Sequence, residues 1–388
     1  MNKLRNRKFT LLLLLLTTGV VTGFAQSECF TYSGGGNTIT GLTDYGMAAE
    51  ELTIPAEVTT VVDGAFADAQ RVTSLIIDGG NPSFEGSLFG EGLSSPLTDI
   101  DMGSGMSVNN MKALLLSVGS SDALGTVVIG GYSGGTVSWT DATIKAILTE
   151  DVRVILPATL VADQVFGDAK VYGRFSIDKE LISFCGSADF RDTDNGSNML
   201  FYVADRIDGQ RIHIQRVRYI VANKGLLIHK SESGKGVAYL ERITSFAEEV
   251  DNDVAQAVTD NGYFASNMLV GVTSPTTIDA TDGDKTNLVL KDAAFHPTSG
   301  GTIKANRAYL QIPTADMPNA GARLEITFPD DDPAGIRDAS RINDKGEMTN
   351  DHVYDLQGRR LTNSQFSILN SQLKKGLYIV GGKKIIKN

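Results

Sequence analysis

The chain has 388 residues, 41% of them hydrophobic, and a formal net charge of −11 at pH 7. Phosphate backbones and anionic lipids repel such an acidic chain, so its charge argues against nucleic acids and membrane surfaces as partners. Only two cysteines occur, Cys29 and Cys185, which excludes a disulfide-rich scaffold. In an exported protein the two cysteines either form one bridge or remain unpaired or buried thiols, and the sequence leaves both outcomes open.

Residues 1–25 have the three parts of a secretory signal peptide. A positively charged start is followed by a 13-residue apolar segment, 9–21, and by small residues at Gly23 and Ala25 that place cleavage before Gln26. A membrane-spanning helix needs about 20 apolar residues, so we expect the peptide to be removed, with no transmembrane anchor in the mature chain. Removal takes away four positive charges (Lys3, Arg5, Arg7 and Lys8) and leaves 363 residues with a net charge near −15. The expected location is extracellular, on the outer-membrane surface or in the periplasm.

A triplet with apolar first and third residues recurs five times between residues 52 and 156. The steps are 23, 25, 27 and 27 residues, and the triplets are Leu52-Thr53-Ile54, Leu75-Ile76-Ile77, Ile100-Asp101-Met102, Val127-Val128-Ile129 and Val154-Ile155-Leu156. Successive side chains of a strand point to opposite faces, so the outer residues of each triplet should be buried. The middle residues should line the solvent-facing side of one parallel ladder as a candidate binding face, the alternative being that the second domain or an N-terminal segment packs over it: Thr53, Ile76, Asp101, Val128 and Ile155.

The segments between the triplets also repeat. Residues 107–118 and 140–148 have apolar residues at helical spacing, and Ser107 is a favourable N-cap. The shorter inserts at 63–69 and 163–169 match at an offset of 100, each with a phenylalanine at the fourth position. A strand plus a turn or short helix every 20–29 residues is the pattern of leucine-rich repeats. The alternative is a small α/β domain with a chance alternation.

The first of the five repeats carries a more specific resemblance. Leu52-Thr53-Ile54-Pro55, followed by Asp63-Gly64-Ala65-Phe66 and then Leu75, resembles the BspA-like leucine-rich repeat of bacterial surface proteins. The match is good for the first repeat, partial for the fifth and loose for the middle three. It covers about residues 50–170. The resemblance implies an α/β solenoid with parallel strands, built from a short leucine-rich-repeat domain at 26–170.

Residues 171–328 have the pattern of a mainly antiparallel β domain. Short alternating segments occur at 199–203, 211–217, 226–228 and 288–290, and the dipeptides at 195–196, 208–209 and 282–283 predict turns between strands. Residues 222–227 and 305–310 look like two copies of one turn that leads into a strand. The domain resembles β-rich modules of secreted bacterial proteins, and the resemblance implies no activity.

Residues 329–350 read as a linker and residues 351–388 as a small β-type tail. The segments 353–361 and 375–387 resemble the C-terminal sorting tail of the type IX secretion system, in which a short β module is recognised at the outer membrane and usually removed. The alternative is an ordinary β-hairpin at the end of the chain.

Catalytic and metal-binding motifs are not found in the sequence. The four histidines lie more than four residues apart, and His213 is expected as an exposed ring on a strand rather than as a catalytic base. The acidic loops at 192–197 and 279–284 lack a full calcium ligand set, so polar turns are expected there, with no metal and no cofactor.

The sequence therefore predicts a monomeric recognition or adhesion protein that is not an enzyme and binds an extracellular protein or glycan through its repeats. The alternatives are a secreted hydrolase with a site assembled from scattered carboxylates and a purely structural surface component. A cleft with two facing carboxylates or a perturbed histidine would favour the hydrolase.

Overall fold

The computed structural model describes residues 26–328, except 34, 70, 134–135, 193–198, 231–235, 245–265 and 320, and four short strands between 353 and 387. The chain divides into two compact units, Met1–Gly173 and Arg174–Asn388, and both are built mainly of β-strands. The predicted signal peptide and linker lie outside the described residues. No helix in the described part is long and apolar enough to cross a membrane.

The first unit contains thirteen strands that lie wholly within its described residues, and three α-helices. The strands are β1 (Phe30–Ser33), β2 (Thr38–Leu42), β3 (Glu51–Ile54), β4 (Thr60–Val61), β5 (Ser74–Ile77), β6 (Ser83–Phe84), β7 (Asp99–Asp101), β8 (Ser104–Ser107), β9 (Thr126–Val128), β10 (Gly131–Ser133), β11 (Ser138–Trp139), β12 (Arg153–Pro157) and β13 (Val165–Phe166). The helices are α1 (Asp44–Ala48), α2 (Val108–Val118) and α3 (Ala142–Ile147), and short 3-10 helices span Gln26–Cys29 and Ala158–Leu160.

One parallel ladder organises this unit. Its strands follow one another in chain order, β3-β5-β7-β9-β12. The first residues of the five triplets are Cα partners across the ladder, in the order Leu52, Leu75, Ile100, Val127 and Val154. The prediction that the five triplets are neighbouring parallel strands is confirmed.

Burial within the ladder alternates as a strand requires. All ten outer residues of the triplets are buried, from Leu52 and Ile54 to Val154 and Leu156. The two longer connections are helices, as predicted: Ser107 Oγ accepts from Asn110 N–H to cap α2, and Asp141 caps α3. Their apolar faces are buried too (Met111, Leu114, Leu115, Val118, Ile144, Ile147 and Leu148). The alternating strands and the helices therefore share one apolar interior.

Shorter parallel pairings recur between the ladder strands. β2, β4 and β6 form a second ladder, extended by antiparallel β1, and the pairs β8–β10 and β11–β13 are also parallel. The two similar inserts each bury their phenylalanine, Phe66 and Phe166. Phe66 lies 6.1 Å from the Phe30 and Phe89 rings, and Phe166 lies 5.3 Å from Trp139. Aromatic contacts thus link successive inserts.

The turns after the ladder strands approach each other closely. A Cβ on Gly130 would lie 2.6 Å from the Gly103 carbonyl oxygen, and a Cβ on Gly103 would collide with the Ile77 carbonyl oxygen. Gly103 also has a φ of +57°, which side-chain-bearing residues rarely adopt. Glycine is therefore required for the turns to pack at this spacing.

β14 (Lys170–Ile177) begins in the first unit and ends in the second, because the division falls between Gly173 and Arg174. The second unit then contains β15 (Leu181–Phe184), β16 (Asp189–Arg191), β17 (Met199–Asp208), β18 (Arg211–Val217), β19 (Tyr219–Ile220), β20 (Leu226–Lys230), β21 (Gly236–Ile243), β22 (Leu269–Val272), β23 (Thr276–Ile278), β24 (Thr281–Asp282), β25 (Lys285–Lys291), β26 (Ala294–Pro297), β27 (Gly301–Ile303), β28 (Arg307–Pro313) and β29 (Leu324–Thr327). A short 3-10 helix spans Thr314–Asp316.

The main sheet of the second unit has the order β15-β20-β17-β18-β29-β26-β25-β28-β22. Every pair in it is antiparallel except β18–β29, so the antiparallel character predicted from the alternating segments is observed. The predicted turn at 208–209 joins β17 to β18 and that at 282–283 joins β24 to β25, whereas 195–196 lies outside the described residues.

The C-terminal tail contributes β30 (Val353–Tyr354), β31 (Arg360–Leu361), β32 (Gly376–Val380) and β33 (Lys383–Lys387). These strands form a four-stranded antiparallel sheet in the order β31-β30-β32-β33. The tail therefore has more strands than a single hairpin.

Candidate binding face

The outer side of the parallel ladder carries two rows of side chains. The middle row consists of the predicted residues Thr53, Ile76, Asp101, Val128 and Ile155, which are in register across the five strands. The upstream row lies two residues earlier on each strand and consists of Glu51, Ser74, Asp99, Thr126 and Arg153. We call the two rows together the outer face.

The middle row is half-buried at four of its five positions. Thr53, Ile76, Asp101 and Val128 are partly accessible, whereas Ile155 is only 7% exposed. The expectation that Ile155 faces solvent is therefore wrong. Beside β12 lies the start of β14, where Lys170 N–H donates to the Val152 carbonyl and the Tyr172 ring stands over Arg153, so a large aromatic side chain covers this end of the face. The sequence pattern of isolated triplets does not reveal this additional strand.

Sequence reasoning missed the upstream row, although the same period-two rule could have found it. Glu51 and Asp99 are exposed carboxylates, and Ser74, Thr126 and Arg153 are partly accessible. Neighbouring hydroxyls hold both carboxylates: Ser74 Oγ donates to Glu51 at 3.4 Å, and Thr98 Oγ1 donates to Asp99 at 2.7 Å. The row thus presents acidic groups on β3 and β7 that are steadied by hydroxyl donors.

Asp101 has a structural contact as well as an accessible side. Its Oδ1 accepts the Gly103 N–H at 2.8 Å, which fixes the tight turn at the end of β7. The second carboxylate oxygen of this partly accessible side chain is a further hydrogen-bond acceptor.

Arg153 is the one basic residue of the outer face. Its guanidinium carbon lies 4.3 Å from the centre of the Tyr172 ring, a cation–π geometry. The Nε atom is buried and makes no hydrogen bond within the described residues. The face is therefore acidic over β3 and β7, apolar at Ile76 and Val128, and basic over β12.

His213, His229 and His296 of the second unit are partly buried. His213 was expected as an exposed ring, but its side chain is 30% exposed and its Nε2 is buried, 4.0 Å from Asp208 Oδ2. The reason is that β18 is flanked by β17 on one side and by β29 on the other, with Thr327 opposite His213. His229 contacts the Phe328 ring, with centroids 4.4 Å apart.

Burial perturbs two other groups of the second unit. It raises the pKa of Asp189, whose Oδ1 accepts the Ala222 N–H at 2.6 Å and so holds the turn before β20. Burial also raises the pKa of the Cys185 thiol to about 11. Both cysteines are free thiols, so of the two alternatives left open the structure has the unbridged one.

The two acidic loops differ in how far they are described. The 192–197 loop lies almost wholly outside the described residues. In the 279–284 loop, the Asp279 carbonyl accepts from Asn287 and the Asp282 carboxylate accepts from Gln311. In the described part of the chain, no three His, Cys, Asp or Glu side chains lie close enough to share a metal ion.

In its described residues, the chain is a β-rich protein of two units. One unit has a parallel ladder and the other has a mainly antiparallel sheet. Comparisons with protein-family models, with curated proteins and with solved structures each return no match.

Proposed function

We propose that this chain is an exported recognition or adhesion protein whose first unit is a short BspA-like leucine-rich-repeat solenoid that binds an extracellular protein or glycan through its outer face. The observation that carries the proposal is the in-register parallel ladder with a half-exposed outer face. A repeated unit of this kind cannot bury its apolar side alone, so stacking creates a core on one side and a continuous surface on the other.

The composition of the outer face suits recognition. Ile76 and Val128 supply apolar contact, the carboxylates of Glu51 and Asp99 accept hydrogen bonds, and Arg153 is held in place by Tyr172. Half-exposed apolar side chains surrounded by polar groups are typical of interaction surfaces. The net charge near −15 that is expected for the mature chain (−11 minus four) favours partners with basic or neutral surfaces.

The test is an array of glycans and extracellular-matrix proteins probed with the mature chain. The double variant Ile76→Ser/Val128→Ser should weaken binding of a captured partner by at least about tenfold, because it removes the apolar centre of the face. Leu116→Ser is the matched control, since Leu116 is an exposed apolar residue of α2 at 44% exposure. An array without a binder, or a binder that the double variant retains in full, contradicts the proposal.

In the same proposal the tail, residues 351–388, is a type IX sorting signal. Its support is the sequence resemblance together with the four-stranded antiparallel arrangement of β30 to β33. Deleting 351–388 should leave the protein in the periplasm, with Gln26 as its first residue, while the full chain reaches the cell surface or medium. Surface delivery of the shortened chain overturns this part.

A further inference from the structure

The second unit contains two segments with the same strand pairings. We name the first copy as residues 181–230, from β15 to β20, and the second copy as residues 269–313, from β22 to β28. In each copy the outermost strand pairs with the last long strand, which pairs in turn with the first strand of a hairpin: β15-β20-β17-β18 and β22-β28-β25-β26. The strand order of the main sheet is consequently almost a palindrome about β29.

The registers of the two copies also coincide. A first-copy residue that precedes the turn between β17 and β18 corresponds to the second-copy residue 86 positions later. A first-copy residue that follows this turn corresponds to the residue 83 positions later. Ser183↔Leu227 becomes Leu269↔Leu310, Tyr202↔Leu227 becomes Leu288↔Leu310, and Phe190↔Ile220 becomes Thr276↔Ile303. The difference of three residues falls in the first hairpin, where β17 has a register shift after Ala204.

Sequence features fall at corresponding positions as well. Asn223 and Asn306, 83 residues apart, both have left-handed backbone conformations, with φ of 62° and 56°, and both lead into a strand. The two turn-into-strand elements predicted from the sequence are thus alike in structure. His213 and His296 are separated by the same 83 residues, and each has a buried Nε2.

Equivalent residues meet each other where the copies touch. A Cβ on Gly225 would lie 2.9 Å from the Cβ of Ala308, its counterpart. A Cβ on Gly271 would collide with the Sγ of Cys185, which is its counterpart in turn. Equivalent residues meet near a two-fold axis, and they also meet in stacked repeats such as the ladder of the first unit, so the remaining contacts must distinguish the two arrangements.

Other contacts across this interface are reciprocal. A Cβ on Gly225 would lie 2.8 Å from the Leu269 carbonyl oxygen, and the equivalent pair is joined by a hydrogen bond from Ala308 N–H to Ser183 Oγ at 3.2 Å. Reciprocity of this kind is the property of an isologous interface, in which residue i contacts j and j contacts i.

We infer that the second unit is a pair of copies of one β module, packed face to face about a local two-fold axis through the contacts at 185/271 and 225/308. The surface of each copy around these contacts packs against the other copy in the same chain. One apolar cluster includes residues of both copies, among them Tyr202 and Leu227 of the first and Leu288 and Leu310 of the second. Neither copy has this core by itself, so the pair is the folding unit.

The test exchanges the residues that meet at the axis in the full mature chain. Gly225→Ala alone should lower the melting temperature of the second unit by about 4–10 °C, because it overpacks the contact with Ala308. The exchanged variant Gly225→Ala/Ala308→Gly mirrors the Gly225–Ala308 contact and should regain part of the lost melting temperature, because the close approach to the Leu269 carbonyl oxygen remains. Gly225→Ala/Ala294→Gly is the control, since Ala294 is also a buried alanine of this sheet but lies on β26, two strands from β28, which carries Ala308.

A specific rescue by Ala308→Gly supports the axis. Losses that simply add in the exchanged variant, or an equal rescue by Ala294→Gly, overturn it. If Gly225→Ala yields no folded protein, the readout becomes soluble yield: recovery by Ala308→Gly and not by Ala294→Gly supports the inference, and failure of both contradicts it.

Discussion

A salt bridge between Lys112 of α2 and Asp141, the N-cap of α3, links the two helical connections of the first unit. Lys112 Nζ lies 2.8 Å from Asp141 Oδ2, and Asp141 Oδ1 accepts the Ile144 N–H at 3.1 Å as the N-cap of α3. The hydrogen bond from Lys112, followed by that from the Ile144 backbone, lowers the pKa of Asp141. A lowered pKa adds stability above the ordinary pKa of a carboxyl group, and that stability is lost as the pH falls through the lowered value.

Two substitutions at Asp141 separate its roles. Asp141→Asn keeps a cap acceptor and removes the charge, whereas Asp141→Ala removes both. At neutral pH we expect melting temperatures in the order wild type, Asn, Ala. In acid the wild type and Asn variant should converge, because Asp141 is protonated, while the Ala variant stays lower. Thermal melts across the acidic range measure this, and a constant gap between wild type and Asn contradicts it.

Two glycines with similar φ distinguish backbone strain from close packing. Gly64→Ala should cost about 1–2 kcal/mol, since Gly64 has φ of +67° and an added Cβ meets nothing within 4 Å. Gly103→Ala should cost a further ~1–3 kcal/mol, because its Cβ collides with the Ile77 carbonyl oxygen. Urea unfolding gives both values, and equal costs would show that the turns do not constrain each other.

Phe66 tests the aromatic contacts between inserts. Phe66→Ala should destabilise the first unit by about 3–5 kcal/mol, because the ring is fully buried between Phe30 and Phe89. Phe66→Leu should cost clearly less, since it leaves a smaller cavity. Denaturant unfolding provides the measurement, and a cost below about 1 kcal/mol for the alanine variant would contradict the packing.

The thiols should react in a fixed order. Cys29 is partly accessible, while Cys185 is buried with a pKa of about 11. A thiol reagent near neutral pH should therefore modify Cys29 first and reach Cys185 only on unfolding, because the thiolate is the reactive form. Two thiols should be counted in denaturant without reductant. Rapid labelling of Cys185 in the native protein contradicts its burial.

The repeat could be predicted from the sequence because its signal is local. Each triplet shows its own period of two, and Ser107 shows its own cap, so the ladder positions and α2 follow from short windows. The order β18-β29-β26 could not be predicted, because β29 pairs with β18 across 114 residues, as between Arg211 and Glu325. Pairings of that range leave no periodic trace in a single sequence.

The candidate face was predictable only in part, for a similar reason. Four middle residues are partly accessible as expected, since the pleat alone decides their side. Burial of Ile155 and the position of Tyr172 over Arg153 depend on β14, a strand with no triplet of its own. Side-chain direction is a local property, whereas coverage depends on which strand lies alongside.

The ladder should also make the first unit fold faster than the second. Its strand pairings join residues only 23 to 27 positions apart, whereas bonds in the second unit span 121 residues (Asn306 to Cys185) and 125 (Ala308 to Ser183). Folding slows as the sequence separation of contacts grows. Refolding should be biphasic, with the first unit ahead. Trp139, the only tryptophan of the chain, is buried in that unit, so its fluorescence reports the faster phase alone while circular dichroism follows both.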